Sequence, residues 1–428
     1  MTQSAIAKVH GRRVWDSRGR PTVEVEVTLT SGAQGRAIAP AGASTGSGEA
    51  VDLRDGGAAF GGHDVTRAVA GIDGEIAKAL ARRDAADQEA VDRALIALDG
   101  TANKARLGGN ALIATSLAVA HAAAAAAGLP LWRYLGGGAD AMLPLPEIQI
   151  FGGGAHAGRR VDVQDFMIIA VGARDYGQAL DWTAEVYRAA GVLMSEAGRL
   201  QGVADEGGFW PAFDSNEQAL ETLLRAIERA KLAPGHDVAI SLDIAASELG
   251  RGGRYKLARD GRALDSDGMA EMLLGWLARY PIVSIEDPLA EDDAAGLQKF
   301  TKAAGPRVQV VGDDFIVTNA GRVRDAAVMG ACNTALIKPN QAGTLTETRA
   351  AAEAARAAGW GAIVSARSGE SEDVSIVHLA VGWGVRQLKV GSFARSERMA
   401  KWNEGLRLGE TLAAGGRLPP RSAFPWGR

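Results

Sequence analysis

Only one cysteine, Cys332, occurs in 428 residues. A disulfide framework and a cysteine-rich zinc site are therefore excluded. Cys332 precedes the apolar run Thr334–Ile337, with no histidine or helix start beside it. It reads as a small core residue rather than a catalytic thiol. Neither sign of charge dominates. A net charge of −4 leaves no general basic surface to hold a nucleic-acid backbone, so no nucleic-acid partner is expected. Long hydrophobic runs are missing too. The longest apolar stretch, around Ala120–Pro130, is too short and alanine-rich to span a membrane. The opening segment MTQSAIAKVHGRRVWDSRGRPT lacks an apolar stretch suited to secretion, so a cytoplasmic location is expected. Aromatics are scarce at 5%.

Apolar residues make up 47% and charged residues 23%, ordinary values for a globular chain with an ample core. The length exceeds the ~100–200 residues usual for one domain. Glycine is abundant at 55. That fits many turns and close backbone approaches, and equally a GC-rich genome, since alanine and arginine are frequent as well.

The chain falls into two rhythms. Pro21–Thr30 alternates apolar and polar residues, as a half-buried antiparallel strand does, and Gln34–Ala39 follows as its hairpin partner. The small-residue segment Pro40–Gly48 has no core pattern and reads as a linker or a mobile lid. Helical patterns then cover Val65–Leu80, Ala86–Leu98 and Asn110–Ala127. Gly136-Gly-Gly138 and Pro144 mark a junction. The expected organisation is an α+β cap domain over 1–138, carrying the lid, and a β/α barrel over 139–428.

Beyond the junction, strand-length apolar runs alternate with helical segments: Val238–Leu242, Ile282–Ile285, Val308–Val311, Thr334–Ile337, Ala362–Ser365 and Gln387-Leu388. Such alternation implies a parallel sheet. These runs lead to Asp243, Glu286, Asp313, Lys338, Arg367 and Lys389 respectively. In a closed β/α barrel such ends converge at the C-terminal mouth, where active sites sit, whereas an open sheet spreads them along an edge. The α/β class with a TIM-like barrel is therefore expected.

Three carboxylates on neighbouring strands, Asp243, Glu286 and Asp313, suit a hard cation such as Mg2+. Without one they would repel. A lysine beside a divalent cation should have a lowered pKa, which would fit Lys338 to act as a general base; on the residues alone the better reading is a lysine that pairs with the acidic cluster. Arg367, Ser368 and Lys389 complete a positive side suited to an anionic substrate. Glu206, in the glycine-flanked turn Ala204–Pro211, can serve as a general acid, and His156 lies in another glycine-rich turn.

At these residues the chain resembles the enolase (phosphopyruvate hydratase) family over nearly its whole length. The segments are DSRGRPTVEVEV, PAGASTGSGEA, LDGTANK, GGNALIATSLAVA, ADEGG, SLDIAASE, PIVSIEDPL, VGDDFIVTN, ALIKPNQAGTLTET, SARSGESED and KVGSFARSER. The resemblance implies an α+β cap followed by a modified β/α barrel. It implies two Mg2+ ions and dehydration of 2-phosphoglycerate to phosphoenolpyruvate. By the same resemblance Asp243, Glu286 and Asp313 hold the first metal, and Ser44 of the lid helps hold the second. Lys338 removes the α-proton and Glu206 assists loss of the hydroxyl. Arg367 and Ser368 contact phosphate, Lys389 contacts the substrate carboxylate, and His156 reaches the substrate. Enolases are commonly dimers or octamers, so a homo-oligomer is expected.

Three positions depart from the family pattern. Ala366 stands where the family has a histidine. Asp165 stands for its catalytic-side glutamate, one methylene shorter. Arg159 and Arg160 follow His156, where small or amide residues are usual. A lesser change is Ala41, in place of a serine. Lost bulk at two positions, with positive charge added if the arginines point inward, implies a substrate larger or more anionic than 2-phosphoglycerate. The expected substrate is a small anionic phosphorylated or phosphonylated carboxylic acid. One known type of such specialised relative is the enolase-like carboxyphosphonoenolpyruvate synthase. An ordinary glycolytic enolase and a non-catalytic enolase-fold scaffold are the alternatives.

Overall fold

The computed structural model describes residues 3–138 and 140–427. Ala139, where the expected barrel domain begins, lies outside them, as do the two terminal ends of the expected domains. Alternation in the first segment builds an antiparallel sheet of β1 (Ile6–Trp15), β2 (Pro21–Leu29) and β3 (Gln34–Ile38). β1 goes beyond what the sequence pattern showed. Val23, Val25 and Val27 bury one face completely. The helix Gly109–Ala126 packs on β2 and β3. It is long and apolar enough to cross a membrane, yet 83% of it is buried inside the protein. Its alanines permit close approach, and so does Gly35. A Cβ on Gly35 would lie 2.1 Å from the Ala122 nitrogen, so no other residue fits there. The stretch expected as one helix over Val65–Leu80 is helical at Thr66–Gly71 and Ala77–Leu80, with a wider π turn at Ile72–Ile76 between.

The remaining strands are β4 (Leu145–Gly152), β5 (Asp165–Ile169), β6 (Ala239–Asp243), β7 (Gly250–Arg251), β8 (Arg254–Leu257), β9 (Arg262–Asp265), β10 (Ile282–Glu286), β11 (Gln309–Gly312), β12 (Thr334–Ile337), β13 (Gly361–Ser365) and β14 (Gln387–Ser392). β7, β8 and β9 form a small separate sheet. The other eight close a barrel in the order β10-β11-β12-β13-β14-β4-β5-β6. The six runs read from the sequence are all barrel strands. β4 and β5 are additional, and they break the β/α alternation. A loop without a long helix joins them, and β5 runs antiparallel to both β4 and β6. Reversal matters for the site. β5 presents its first residue, Asp165, at the mouth where its neighbours present their last, and Asp165 pairs in register with Asp243. Cys332 is buried, as its apolar setting requires.

Candidate active site

The ends of β6 and β10 supply Asp243 and Glu286. Asp313 and Lys338 follow β11 and β12 directly, Arg367 lies just past β13, and Lys389 sits within β14. All six are buried. A narrow cleft over them is lined by Ser44, His156, Gln164, Asp165, Glu206, Asp243, Lys338, Ala366, Arg367, Ser368 and Lys389. The structure thus brings together most of the candidates in one place.

The carboxylates are engaged by lysines. Lys389 Nζ lies 2.7 Å from Glu286 Oε2, 3.0 Å from Asp243 Oδ2 and 3.6 Å from Asp165 Oδ2. Lys338 Nζ lies 2.5 Å from Asp313 Oδ2, whose other oxygen accepts from Gln341 Nε2 at 2.9 Å. Burial alone would lower the Lys338 ammonium, but Asp313 outweighs it and holds the group above its ordinary value. The expectation of a lowered Lys338 presumed a neighbouring divalent cation. In the chain alone, the ion pair reverses that direction. Asp313 shifts the opposite way: burial would raise it, and Lys338 and Arg367 bring it below the usual carboxylate range.

Glu286 is different. Burial, and then the charge of Asp243, push its carboxyl well above the usual range. Its Oε1 is buried with no hydrogen-bond partner among the described residues. A buried carboxylate oxygen with an open coordination position, crowded by further carboxylates, fits a hard divalent cation. A second acidic set follows in the chain. Asp287, Asp313 and Asp314 offer oxygens within 4.8 Å of one another. Asp287 accepts the Asp313 and Asp314 amides at 2.8 and 2.9 Å. Burial, then Asp313, lifts Asp314 to about 8. Sequence reasoning passed over Asp287 and Asp314. Their signal was present in the acidic doublets Glu286-Asp287 and Asp313-Asp314.

Glu206 sits in a turn that needs glycine beside it. Gly207 has φ +93°, and a Cβ there would lie 2.6 Å from the Ala394 carbonyl oxygen. His156 occupies a single 3-10 turn, Gly154–Ala157. Its Nδ1 is 2.9 Å from Asp165 Oδ1, and its Nε2 is 3.7 Å from Glu206 Oε1. Burial alone would lower the imidazolium, but Asp165 and Glu206 raise it to about 9. Burial would raise Asp165, but His156 brings it down to about 2. His156 therefore contributes stability that is complete below its ordinary 6.5 and lost as pH rises through about 9. Asp165 contributes stability present above 3.8 and lost as pH falls through about 2. Metal-free protein should accordingly be stabilised by this pair most between about pH 4 and 6.5. Urea unfolding of wild type and His156→Gln across pH measures it. Parallel profiles for the two proteins would refute it.

Arg367 reaches toward the cap. Nη1 and Nη2 donate to the two Glu49 oxygens at 2.9 and 3.1 Å, and Nη2 donates to the Ser44 carbonyl at 3.0 Å. Glu49 directly follows the lid segment and was not singled out from sequence. Ser44 Oγ lies 3.5 Å from Glu248 Oε1. The lid is therefore fastened over the cleft. At its base Ala41 and Gly369 exchange backbone hydrogen bonds of 2.9 and 2.8 Å, tying it to the Arg367-Ser368 segment.

The two arginines after His156 do not enter the cleft. Arg159 has a side chain 66% exposed and pairs with Glu248 Oε2 at 2.5 Å. Arg160 Nη1 donates to the Phe213 carbonyl at 2.6 Å. Of the three departures, Ala366 and Asp165 line the cleft and the arginine pair stands outside it.

Two family models match the chain. Residues 6–135 match the one described as enolase, N-terminal domain, and residues 140–423 the one described as enolase, C-terminal TIM barrel domain.

Proposed function

Because the chain belongs to the enolase family, we propose that it is a Mg2+-dependent hydro-lyase. Its substrate is 2-phosphoglycerate or a close analogue, bulkier or more anionic. The observation that carries this reading is that Lys338 and Glu206, from different elements, line one cleft together with Asp243, Arg367 and Lys389. A base, an acid and anion-binding groups are what removal of water from a phosphorylated hydroxy acid needs.

Asp243, Glu286 and Asp313 would hold one Mg2+ and Ser44 would help hold a second, supplying positive charge against the negative charge that develops on the substrate carboxylate. Every other task falls to the chain's own groups. Lys338, once neutral, accepts the α-proton at Nζ. Glu206 donates a proton to the departing hydroxyl, since hydroxide itself is a poor leaving group. Arg367 and Ser368 bind the phosphate or phosphonate, and Lys389 orients the carboxylate. His156, paired with Asp165, reaches the substrate from its loop. The fastened lid excludes water. Ala366 puts less bulk into the cleft lining than a histidine would, which favours the larger analogue. The arginines contribute no charge inside the cleft, so added anionic groups would meet Lys389 and His156.

The test uses purified protein with Mg2+, offered 2-phosphoglycerate and phosphonylated or carboxylated analogues, with the enol product followed by its ultraviolet absorbance. Turnover within the ordinary range of roughly 1–10³ s⁻¹ is expected on at least one of them. It should vanish with a chelator and return with Mg2+. Turnover of 2-phosphoglycerate on the order of 10² s⁻¹ would identify an ordinary enolase. No turnover of any substrate, with no Mg2+ uptake by calorimetry, would overturn the catalytic reading in favour of a scaffold. Glu286→Gln should weaken Mg2+ uptake at least tenfold in the same calorimeter, and unchanged uptake would remove Glu286 from the metal site.

A further inference from the structure

One oxygen of the buried Asp165 carboxylate serves two partners. Oδ1 faces His156 Nδ1 at 2.9 Å and accepts from Gln149 Nε2. Gln149 lies in β4 and is completely buried. Its other end, Oε1, accepts the Gly208 N–H at 2.9 Å. Gly208 lies in the turn that carries Glu206, and Glu206 Oε1 returns to 3.7 Å from His156 Nε2. Gln149, Asp165, His156, Glu206 and Gly208 thus close a ring.

The ring is shaped around that amide. A Cβ on Gly208 would lie 2.4 Å from Gln149 Oε1, and one on Gly152 would lie 3.3 Å from both amide heteroatoms. The backbone carbonyl of Gln149 accepts from Ser392 Oγ at 2.5 Å, anchoring β4 to β14. Chemistry fixes the orientation of the amide. A flip would set its oxygen against a carboxylate and its NH2 against an N–H, repulsive at both ends. A buried group with both ends satisfied and no freedom to turn acts as a strut.

We infer that Gln149 is a positioning residue. Its amide joins Asp165 Oδ1 to the Gly208 N–H and so sets the separation between the Asp165–His156 pair and the turn bearing Glu206. This rests on the proposed roles of Glu206 and His156. The arms of positions 149 and 165 then have a fixed combined length. Shortening one or lengthening the other breaks the ring, and doing both restores it.

The test compares Gln149→Asn, Asp165→Glu and the double variant with wild type, using 2-phosphoglycerate with Mg2+ and the proton spectrum of the protein labelled with 15N-histidine. Each single variant should lose tenfold or more in kcat with a smaller change in KM, since small misplacements near the reacting atoms are costly. Each should also lose the downfield Nδ1–H signal of His156 through exchange with water. The double variant should recover kcat to within a few-fold and regain the signal, which a general loss of packing would not do. A Gln149→Asn protein with wild-type kcat and signal, or a double variant no better than the singles, would overturn the inference. If wild type does not turn over 2-phosphoglycerate, that reading of the substrate fails by itself. The signal then decides: present in wild type and double variant but absent in the singles supports the strut, and any other pattern overturns it.

Discussion

Lys338→Arg should lower kcat by roughly 10²–10⁴-fold, the contribution usual for a positioned general base. Arginine is the informative replacement because the lysine has two roles in this cleft. It pairs with Asp313 at 2.5 Å, and it is the proposed acceptor of the α-proton. A guanidinium keeps the positive charge beside Asp313 but does not give up a proton near neutral pH. The ion pair should therefore survive while the chemistry stops. Lys338→Ala removes both, and it leaves the buried Asp313 without its principal cation, so it should also alter stability and Mg2+ affinity. The measurement is kcat beside Mg2+ binding by calorimetry for both variants. Exchange of the substrate α-proton in deuterated water should cease in both. Glu206→Gln, in contrast, should still exchange that proton while failing to release product. A Lys338→Arg protein with wild-type exchange would take the base role away from this residue.

Arg398→Met should cost at least about 2 kcal/mol of folding stability, since it takes the guanidinium from the buried Arg367 and Val390 carbonyls at roughly 1–3 kcal/mol each and leaves the Ser368 carbonyl only a 3.3 Å bond from Ser17 Oγ. Arg398 lies in the helix Ser396–Thr411 and is wholly buried. Its Nη1 donates to the Arg367 and Val390 carbonyls at 2.7 and 2.9 Å, and its Nη2 to the Ser368 carbonyl at 2.6 Å. Behind it Lys401, also wholly buried, donates to the Ser371 carbonyl at 2.8 Å and pairs with Glu370 at 3.0 Å. Glu370 in turn accepts the Arg367 N–H at 3.0 Å. The segment that carries the proposed phosphate contacts is thus held from beneath by two cations. Arg398→Lys retains charge but cannot fork to three carbonyls. It should fold, with inorganic phosphate bound at least tenfold more weakly and Mg2+ bound as before. Urea unfolding and phosphate calorimetry read both effects. Equal phosphate affinity in Arg398→Lys and wild type would show that the segment needs no such clamp.

The legible part of this protein lay where one pattern repeats. Asp243, Glu286, Asp313, Lys338, Arg367 and Lys389 each come at or near the end of an apolar run; four of them line one cleft, and Glu286 and Asp313 pair with two of its lysines. β4 and β5 were not legible. β4 carries Glu147 and Gln149 toward a polar barrel interior and includes Pro146, and β5 has only five residues, Asp165–Ile169. Nothing in an apolar pattern states which way a strand runs. Side-chain direction in loops was equally hidden. Arg159, at φ +58°, turns out to Glu248, and only the folded loop decides that. Partnerships across the whole chain were the hardest to foresee. Glu49 and Arg367 are joined although 318 residues apart, because cap and barrel close on each other. The direction of the Lys338 shift belongs to the same class, since it depends on which charge stands next to it.

The reversed strand has a consequence for how such an enzyme diversifies. Because β5 runs back, the loop between β4 and β5 leaves from the mouth and returns to the mouth. In an ordinary β/α unit, the loop at the mouth runs on into a helix packed along the barrel wall. Here insertions, deletions and new side chains at residues 158–160, the exposed tip of that loop beyond His156, can accumulate beside the cleft without disturbing any strand's register. Arg159 and Arg160 fall within that span. It is a tolerant segment set directly against the chemistry, and therefore the natural place for one barrel to acquire a new preference among anionic substrates.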